Sequence, residues 1–238
     1  GEMLLEPWNF VYNDLIQGVN METGRPRYDI GKIMFTDLED RQKYVPDAED
    51  IAVGWCPGIA ARNWQNDAFS PRTGLVYTPT SNRCGIQRVV EGQYVPGDGY
   101  TLRERGGQAP RPPGEEYAGE LQANDPVASE TVWSIRWTSA NNTPVMATGG
   151  DLLFQGGANE GVVRAFDART GELLWQQRTN SGVIGVPSSY MVDGVQYIAV
   201  QSGFGVDAAS MRRRVDSDRG TETYVPQGGV IWVFALGG

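Results

Sequence analysis

The sequence predicts an all-β fold, and three observations carry that prediction. Composition is the first: 31 Gly, 14 Pro and 7 Trp in 238 residues suit strands and turns better than helices. The second is "AFDARTGELLW" at 165–175, where "VVRAFDA" alternates like a strand and "GELLWQQ" reads as its return. The third is that this pattern recurs along the chain.

Local chemistry explains the hairpin. Ala168, Arg169, Thr170 and Gly171 form its turn. Asp167 is placed to accept hydrogen bonds from turn amides, Thr170 to bond locally, and Gly171 to take a positive φ. Trp175, four residues past that glycine, is a large apolar plate with one N–H that needs a partner.

Three further stretches match. "ANDPVASETVW" (123–133) keeps Ala123, Asp125 and Trp133 at the same offsets, with Ala128 and Ser129 where Thr-Gly stood. "GVNMETGRPRY" (18–28) keeps Thr23 and Gly24, and "AFSPRTGLVYT" (68–78) keeps Ala68, Thr73 and Gly74. The four starts, at 18, 68, 123 and 165, are separated by 50, 55 and 42 residues. A strand-rich unit with a period near 40–50 residues predicts the blades of a β-propeller. One blade cannot bury both faces of its small sheet, so neighbours must stack. Trp133 and Trp175, each on an outermost strand, are expected to lie flat between blades and bury roughly 150–250 Å² apiece. The motif is then an interblade staple without a catalytic duty.

The spacers are longer than a tight blade needs. Residues 29–54, 85–122 and 208–226 are expected as surface inserts on a single partial propeller domain spanning 1–238. The "RRR" run at 212–214 reads either as an acid-binding patch or as a solvated loop.

Charge and composition exclude several functions. A net charge of −9 argues against nucleic acid or an acidic membrane as the main partner. No apolar run of about 18 residues exists, so no membrane-spanning helix is expected. Histidine is absent, which removes His-ligated metals, Ser-His and Cys-His catalysis, and c-type haem attachment. The two cysteines, Cys56 and Cys84, read either as buried thiols or as a disulfide.

The stretch "WCPGIAARNWQNDAFSPRTGLVYTPTSNRC" (55–84) closely resembles the loop and blade of alcohol dehydrogenases that depend on pyrroloquinoline quinone (PQQ), methanol dehydrogenase among them. Residues 146–205 resemble the last blades of the same family, and the repeat resembles its tryptophan-docking motif. The resemblance implies the C-terminal four to five blades of an eight-bladed quinoprotein propeller. It implies a periplasmic enzyme that oxidises an alcohol to an aldehyde or ketone with PQQ and a Ca²⁺ or lanthanide ion, passing electrons to a cytochrome c. It also implies the Cys56–Cys84 disulfide, since matching positions are bridged in methanol dehydrogenases and the periplasm preserves disulfides.

Residue by residue, Asn63 matches the family asparagine that touches the quinone; an amide offers a donor and an acceptor to a polyanionic quinone acid. Trp64 packs on the quinone or fills the funnel wall. Val206 and Asp207, in "SGFGVD", match the last-blade loop that approaches the cofactor. Two departures stand out: Asn142 and Asp207 occupy positions where methanol dehydrogenases place tryptophans. Small polar groups there imply a wider, wetter substrate funnel and a substrate bulkier and more polar than methanol.

The family's metal-binding Glu and Asn, its catalytic Asp and its cationic residue all fall before Gly1. No catalytic or metal-binding residue is therefore expected in this segment, and Asp14, Glu39 and Asp151 read as ordinary loop charges. The N-terminal half of the same protein is the expected partner, with "GGVIWVFAL" (228–236) pairing with one of its strands. The alternative is a non-catalytic propeller serving as an envelope scaffold, which gives no reason for the cysteine pair or the Asn63-Trp64 loop. A WD40-type hub lacks its Gly-His and Trp-Asp dipeptides.

Overall fold

The structure is a computed structural model that describes residues 8–58, 61–90, 92–98, 103–105, 111–138, 143–158, 160–203 and 228–237. The chain runs β1 (Ile16–Val19), β2 (Pro26–Tyr28), a 3-10 helix (Ile30–Lys32), α1 (Leu38–Tyr44), β3 (Val53–Trp55), β4 (Ala68–Ser70), β5 (Leu75–Ser81), β6 (Gly85–Val89) and β7 (Arg103–Arg105). It continues with β8 (Gly119–Asp125), β9 (Glu130–Trp137), β10 (Val145–Ala147), β11 (Leu152–Gly157), β12 (Val162–Asp167), β13 (Leu173–Arg178), β14 (Ser188–Val192), β15 (Val195–Gly203) and β16 (Gly228–Leu236). Among the described residues these strands form five sheets, ordered β1-β2, β3-β6-β7, β4-β5-β8-β9, β10-β11-β12-β13 and β14-β15-β16. Neighbouring strands are antiparallel throughout.

The chain divides into two compact units, 1–61 with 82–115, and 62–81 with 116–238. The first holds the sheets β1-β2 and β3-β6-β7. Its buried apolar residues include Val11, Phe35, Ala48 and Val53, and Phe35 stacks on Tyr44 at 5.7 Å between ring centroids. Helix α1 starts where Asp37 accepts from the Asp40 N–H at 2.6 Å, with Glu39 and Asp40 in its first turn and Lys43 in its last. Capping and dipole charges at both ends explain a helix in an otherwise β chain. Cys56 and Cys84 form a disulfide, and the Cys56-Pro57 peptide is cis. Beside them the backbone packs closely: Gly58 donates to the Arg83 carbonyl at 2.7 Å, and a Cβ on Gly58 would stand 2.4 Å from the Gly85 nitrogen. Asp14 accepts from the Cys56 N–H at 2.6 Å and from Lys32 at 3.1 Å, so its charge is structural.

The second unit holds three successive sheets that stack face to face. The middle sheet, β10-β11-β12-β13, is apolar on both faces. Leu153, Phe166 and Val145 pack with Leu75, Tyr77, Leu121 and Ala123 of the preceding sheet. Phe154, Val163 and Ala165 pack with Val183, Ile198 and Val200 on the following side. Adjacent residues of a strand face opposite ways, so "LLF" and "VVRAF" must be apolar at nearly every position to fill two interfaces. The preceding sheet differs. Its second face carries Thr78, Thr80, Glu120, Gln122 and Asn124, all buried. There Glu120 accepts from Gln122 at 2.7 Å and Arg136 at 2.8 Å.

The repeat predicted the hairpins but not their grouping. The 68–78 and 123–133 hairpins share one sheet, as its inner and outer pairs, rather than marking two blades. Between them the chain leaves the sheet, and residues 85–122, expected as a surface excursion, supply β6, β7 and the first residues of β8. Residues 29–54 contain the 3-10 helix, α1 and the start of β3. The 208–226 insert and the "RRR" run lie outside the described residues.

The hairpin chemistry is as read. Asp167 accepts from the Arg169 and Thr170 N–H groups at 2.8 and 3.0 Å, and Gly171 has φ +74°. Asp125 accepts likewise from Val127 and Ala128, while Ser129 adopts φ +56° at the position where the other hairpins have glycine. Trp133 sits opposite Ala123 in its own sheet. Its N–H reaches across to the Ala168 carbonyl of the next sheet at 3.3 Å. That carbonyl also accepts from the Tyr77 hydroxyl at 2.9 Å. The indole lies on Gly171, where a Cβ would stand 2.8 Å from Cε3. Trp175 pairs with Ala165 in the same register but makes no such hydrogen bond among the described residues, and it meets Phe234 edge-on at 5.0 Å.

Asp151 joins the same end of the stack. Arg72, from the turn of one sheet, donates to it twice at 2.9 and 3.2 Å, and Arg169 donates at 2.7 Å. The Arg72 and Arg169 hydrogen bonds hold its carboxyl below the ordinary value.

Two predictions follow from this staple. Gly171→Ala combines a left-handed backbone with a clash against Trp133 and is expected to cost about 2 kcal/mol or more, whereas Ser129→Gly removes a left-handed penalty and gains about 0.5–1 kcal/mol. Urea unfolding of the intact protein checks both signs. A depressed carboxyl stabilises the fold above its unfolded pKa, and that contribution fades as pH falls through the folded value. Asp151→Asn, which keeps a side chain tolerant of φ +59°, should therefore lower Tm at neutral pH. The gap to the parent should close on acidification below the carboxylate range, as read by pH-dependent thermal melts.

Candidate functional site

In an up-and-down sheet the chain alternates ends. The segments leading into the first strand and out of the fourth therefore share one end, and the turn between third and fourth strands lies at the other. The docking turns at 126–129 and 168–171 occupy one end. The loop at 62–67, which leads into β4, stands at the opposite end with the segments joining β9 to β10 and β13 to β14. Loops on a rigid scaffold are where binding groups concentrate.

Asn63 and Trp64 lie on this loop, which leads into the first-strand edge of its sheet. Two residues on, Asn66 donates from Nδ2 to the Val145 carbonyl at 3.1 Å, and the Val145 N–H returns to the Asn66 carbonyl at 3.5 Å. Val145 opens β10, the first strand of the next sheet, so the loop is tied to the first-strand edge of that sheet. Asn63 is exposed, and Trp64 is 58% exposed, unusual for an indole. Neither side chain makes a hydrogen bond among the described residues.

The surrounding loop residues are fixed. Arg62 forms an ion pair with Asp67 that closes the loop. Gln65 is buried, and its Oε1 has no partner among the described residues. Burial pushes the Asp67 carboxyl above its ordinary value, with Arg62 opposing that shift. Sequence reasoning passed over Arg62, Asn66 and Asp67. The available signal was an opposite-charge pair bracketing "NWQN".

Asn142, Val206 and Asp207 lie outside the described residues. Asn142 falls in the chain between β9 and β10, and Val206 and Asp207 between β15 and β16. No group of three His, Cys, Asp or Glu residues able to hold a metal ion occurs among the described residues. A cavity of about 530 Å³ opens between the outer strands of the last two sheets, lined by Phe154, Ala165, Leu174, Trp175, Val233 and Phe234. It is apolar, without the converging polar groups that orient a small ligand. It adjoins β16, which has no outward neighbour among the described residues, whereas β8 and β12 are flanked by β9 and β13.

Residues 114–198 match the family described as PQQ glucose/ethanol/alcohol dehydrogenase, beta-propeller domain. The 1-butanol dehydrogenase (cytochrome c) of Thauera butanivorans is 35% identical over 192 residues, covering 76% of this chain and 26% of that protein. A europium-containing methanol dehydrogenase superposes with TM-score 0.77 at 29% identity, covering 95% of this chain and 40% of that one. The quinohemoprotein alcohol dehydrogenase of Comamonas testosteroni superposes at 0.72 and 28% identity, covering 97% and 32%. This chain is similar to quinoprotein alcohol dehydrogenases. Its antiparallel sheets fit part of a β-propeller, and it spans about a quarter to two fifths of the length of these relatives. The scaffold alternative finds no support among relatives whose names are those of dehydrogenases. No helix among the described residues is long and apolar enough to cross a membrane.

Proposed function

We propose that this chain is the C-terminal part of a periplasmic, PQQ-dependent alcohol dehydrogenase, and that its 62–67 loop forms one wall of the quinone pocket. The observation that carries the reading is the exposed Asn63-Trp64 pair on a loop held to the first strand of the next stacked sheet. PQQ, when bound, supplies an electron-pair acceptor for alcohol oxidation, with Ca²⁺ or a lanthanide polarising its carbonyl.

The residues present fit that group. The Asn63 amide, unbonded among the described residues, offers a donor and an acceptor to a quinone carbonyl or carboxylate. The Trp64 indole offers an apolar plate to a planar ring. The Gln65 Oε1 atom, buried without a partner, adds an acceptor beside them. Val206 and Asp207, which lie outside the described residues, are further candidates by resemblance. This chain's contribution is to bind and orient the cofactor; the general base, metal ligands and cationic residue belong to the N-terminal half. That half would also supply the strand that pairs with β16 and covers the apolar cavity beside Trp175. A cytochrome c is the proposed electron acceptor, as in the name of the butanol dehydrogenase relative.

Asn63→Ala in the intact apoprotein should weaken PQQ binding about tenfold, the worth of one or two hydrogen bonds to a charged group. Fluorescence titration with PQQ reads this, and unchanged affinity would sink the assignment of the loop. Asn142 and Asp207 at positions of family tryptophans favour a bulkier, more polar substrate. The kcat/KM for large hydroxylated alcohols should exceed that for methanol and ethanol; the reverse order contradicts a widened funnel.

A further inference from the structure

Three ties hold the 62–67 loop, and each acts on a residue other than Asn63 and Trp64. Asn66 is bonded both ways to Val145. Gln65 turns inward and is buried. Arg62 and Asp67, at the two ends, join across the loop. With its ends closed and its later half anchored, the loop projects Asn63 and Trp64 outward side by side.

The end-to-end ion pair is poorly explained as a stabiliser. Its arginine side chain is 40% exposed, and exposed pairs contribute little to folding. Its carboxylate is half-buried, with Oδ1 left unpartnered. Burial outweighs the pull of Arg62, since the net shift of the carboxyl is upward. An ionised Asp67 therefore works against the fold, and by linkage its contribution is greatest when protonated. What the pair does accomplish is conformational: it removes the freedom of the segment carrying Asn63 and Trp64.

We propose that Arg62 and Asp67 act as a positioning clasp, holding the 62–67 loop in the conformation that presents the Asn63 amide and the Trp64 ring together to the quinone cofactor. The inference rests on the reading of this loop as a cofactor wall. Neither clasp residue is required to touch the cofactor. Without the clasp the loop samples conformations in which amide and indole are not jointly aimed, and binding must order them first.

The test uses the intact protein freed of cofactor and titrated with PQQ, with thermal unfolding of the same apoproteins measured in parallel. Arg62→Gln and Asp67→Asn should each weaken PQQ binding about tenfold, the ordering of one or two side chains. The double variant should be no worse than either single, because both break one interaction. Arg62→Lys, which keeps the charge, should recover most of the affinity. The apoprotein Tm should fall modestly for Arg62→Gln, which leaves the Asp67 carboxylate uncompensated, and be unchanged or higher for Asp67→Asn, so that affinity and Tm part company in the second variant. Parental PQQ affinity in both single variants overturns the clasp, as does an affinity loss that adds in the double variant and tracks a falling Tm. Asn63→Ala separates the two ideas. If it weakens binding while Arg62→Gln does not, the clasp alone fails. If it leaves binding unchanged, the cofactor reading fails and the clasp falls with it.

Discussion

The carbonyl oxygen of Ala168 is where two sheets of this molecule are held in register. It receives the Trp133 indole N–H and the Tyr77 hydroxyl from the neighbouring sheet. Burial raises the Tyr77 phenol above its ordinary value, with the hydrogen bond to Thr73 opposing, so at neutral pH the hydroxyl keeps its proton to donate. The geometry depends on one residue without a side chain. Gly171 turns the chain through positive φ and leaves the ring of Trp133 nothing but backbone to lie on. Loss of that contact would leave two polar groups unpartnered and the apolar cluster of Leu75, Leu121, Leu153 and Phe166 partly open.

Because the docking turns and the 62–67 loop stand at opposite ends of the strands, the two ends answer to different demands. The docked end is crowded with satisfied groups, including an aspartate shared by arginines from two sheets. The loop end keeps an exposed indole, an exposed amide and a buried Gln65 oxygen without a partner.

The hairpins were legible because their causes are local. Asp167, Thr170 and Gly171 act within a few residues of one another, and Ser129 shows that the left-handed position persists even when the glycine does not. Sheet membership was not legible, because pairing is settled by distant partners. Nothing within 68–78 distinguishes an inner hairpin from an outer one, and nothing in "GIQRV" announces that β6 pairs with β3 instead of following β5 into its sheet. Helix α1 had readable caps, which went unread because the composition argued for strands. At the site, Asn63 was found by resemblance. The fixing of its loop depends on Val145, far along the chain, which no local pattern reveals.

Trp175 carries the last step. It has the same alanine opposite it and the same place on an outermost strand as Trp133, yet it is 38% exposed beside an apolar cavity and makes no hydrogen bond among the described residues. The difference cannot lie in the motif, which is the better copy in this hairpin. It lies in the neighbour: Trp133 meets a complete third-to-fourth-strand turn, whereas β16 has no fourth strand beside it among the described residues. In a stack of repeats each interface needs both partners, so a docking residue shows its full stabilisation only where the adjoining repeat is whole. The indole of Trp175 and the apolar cavity beside it adjoin β16, whose outer edge has no neighbour among the described residues.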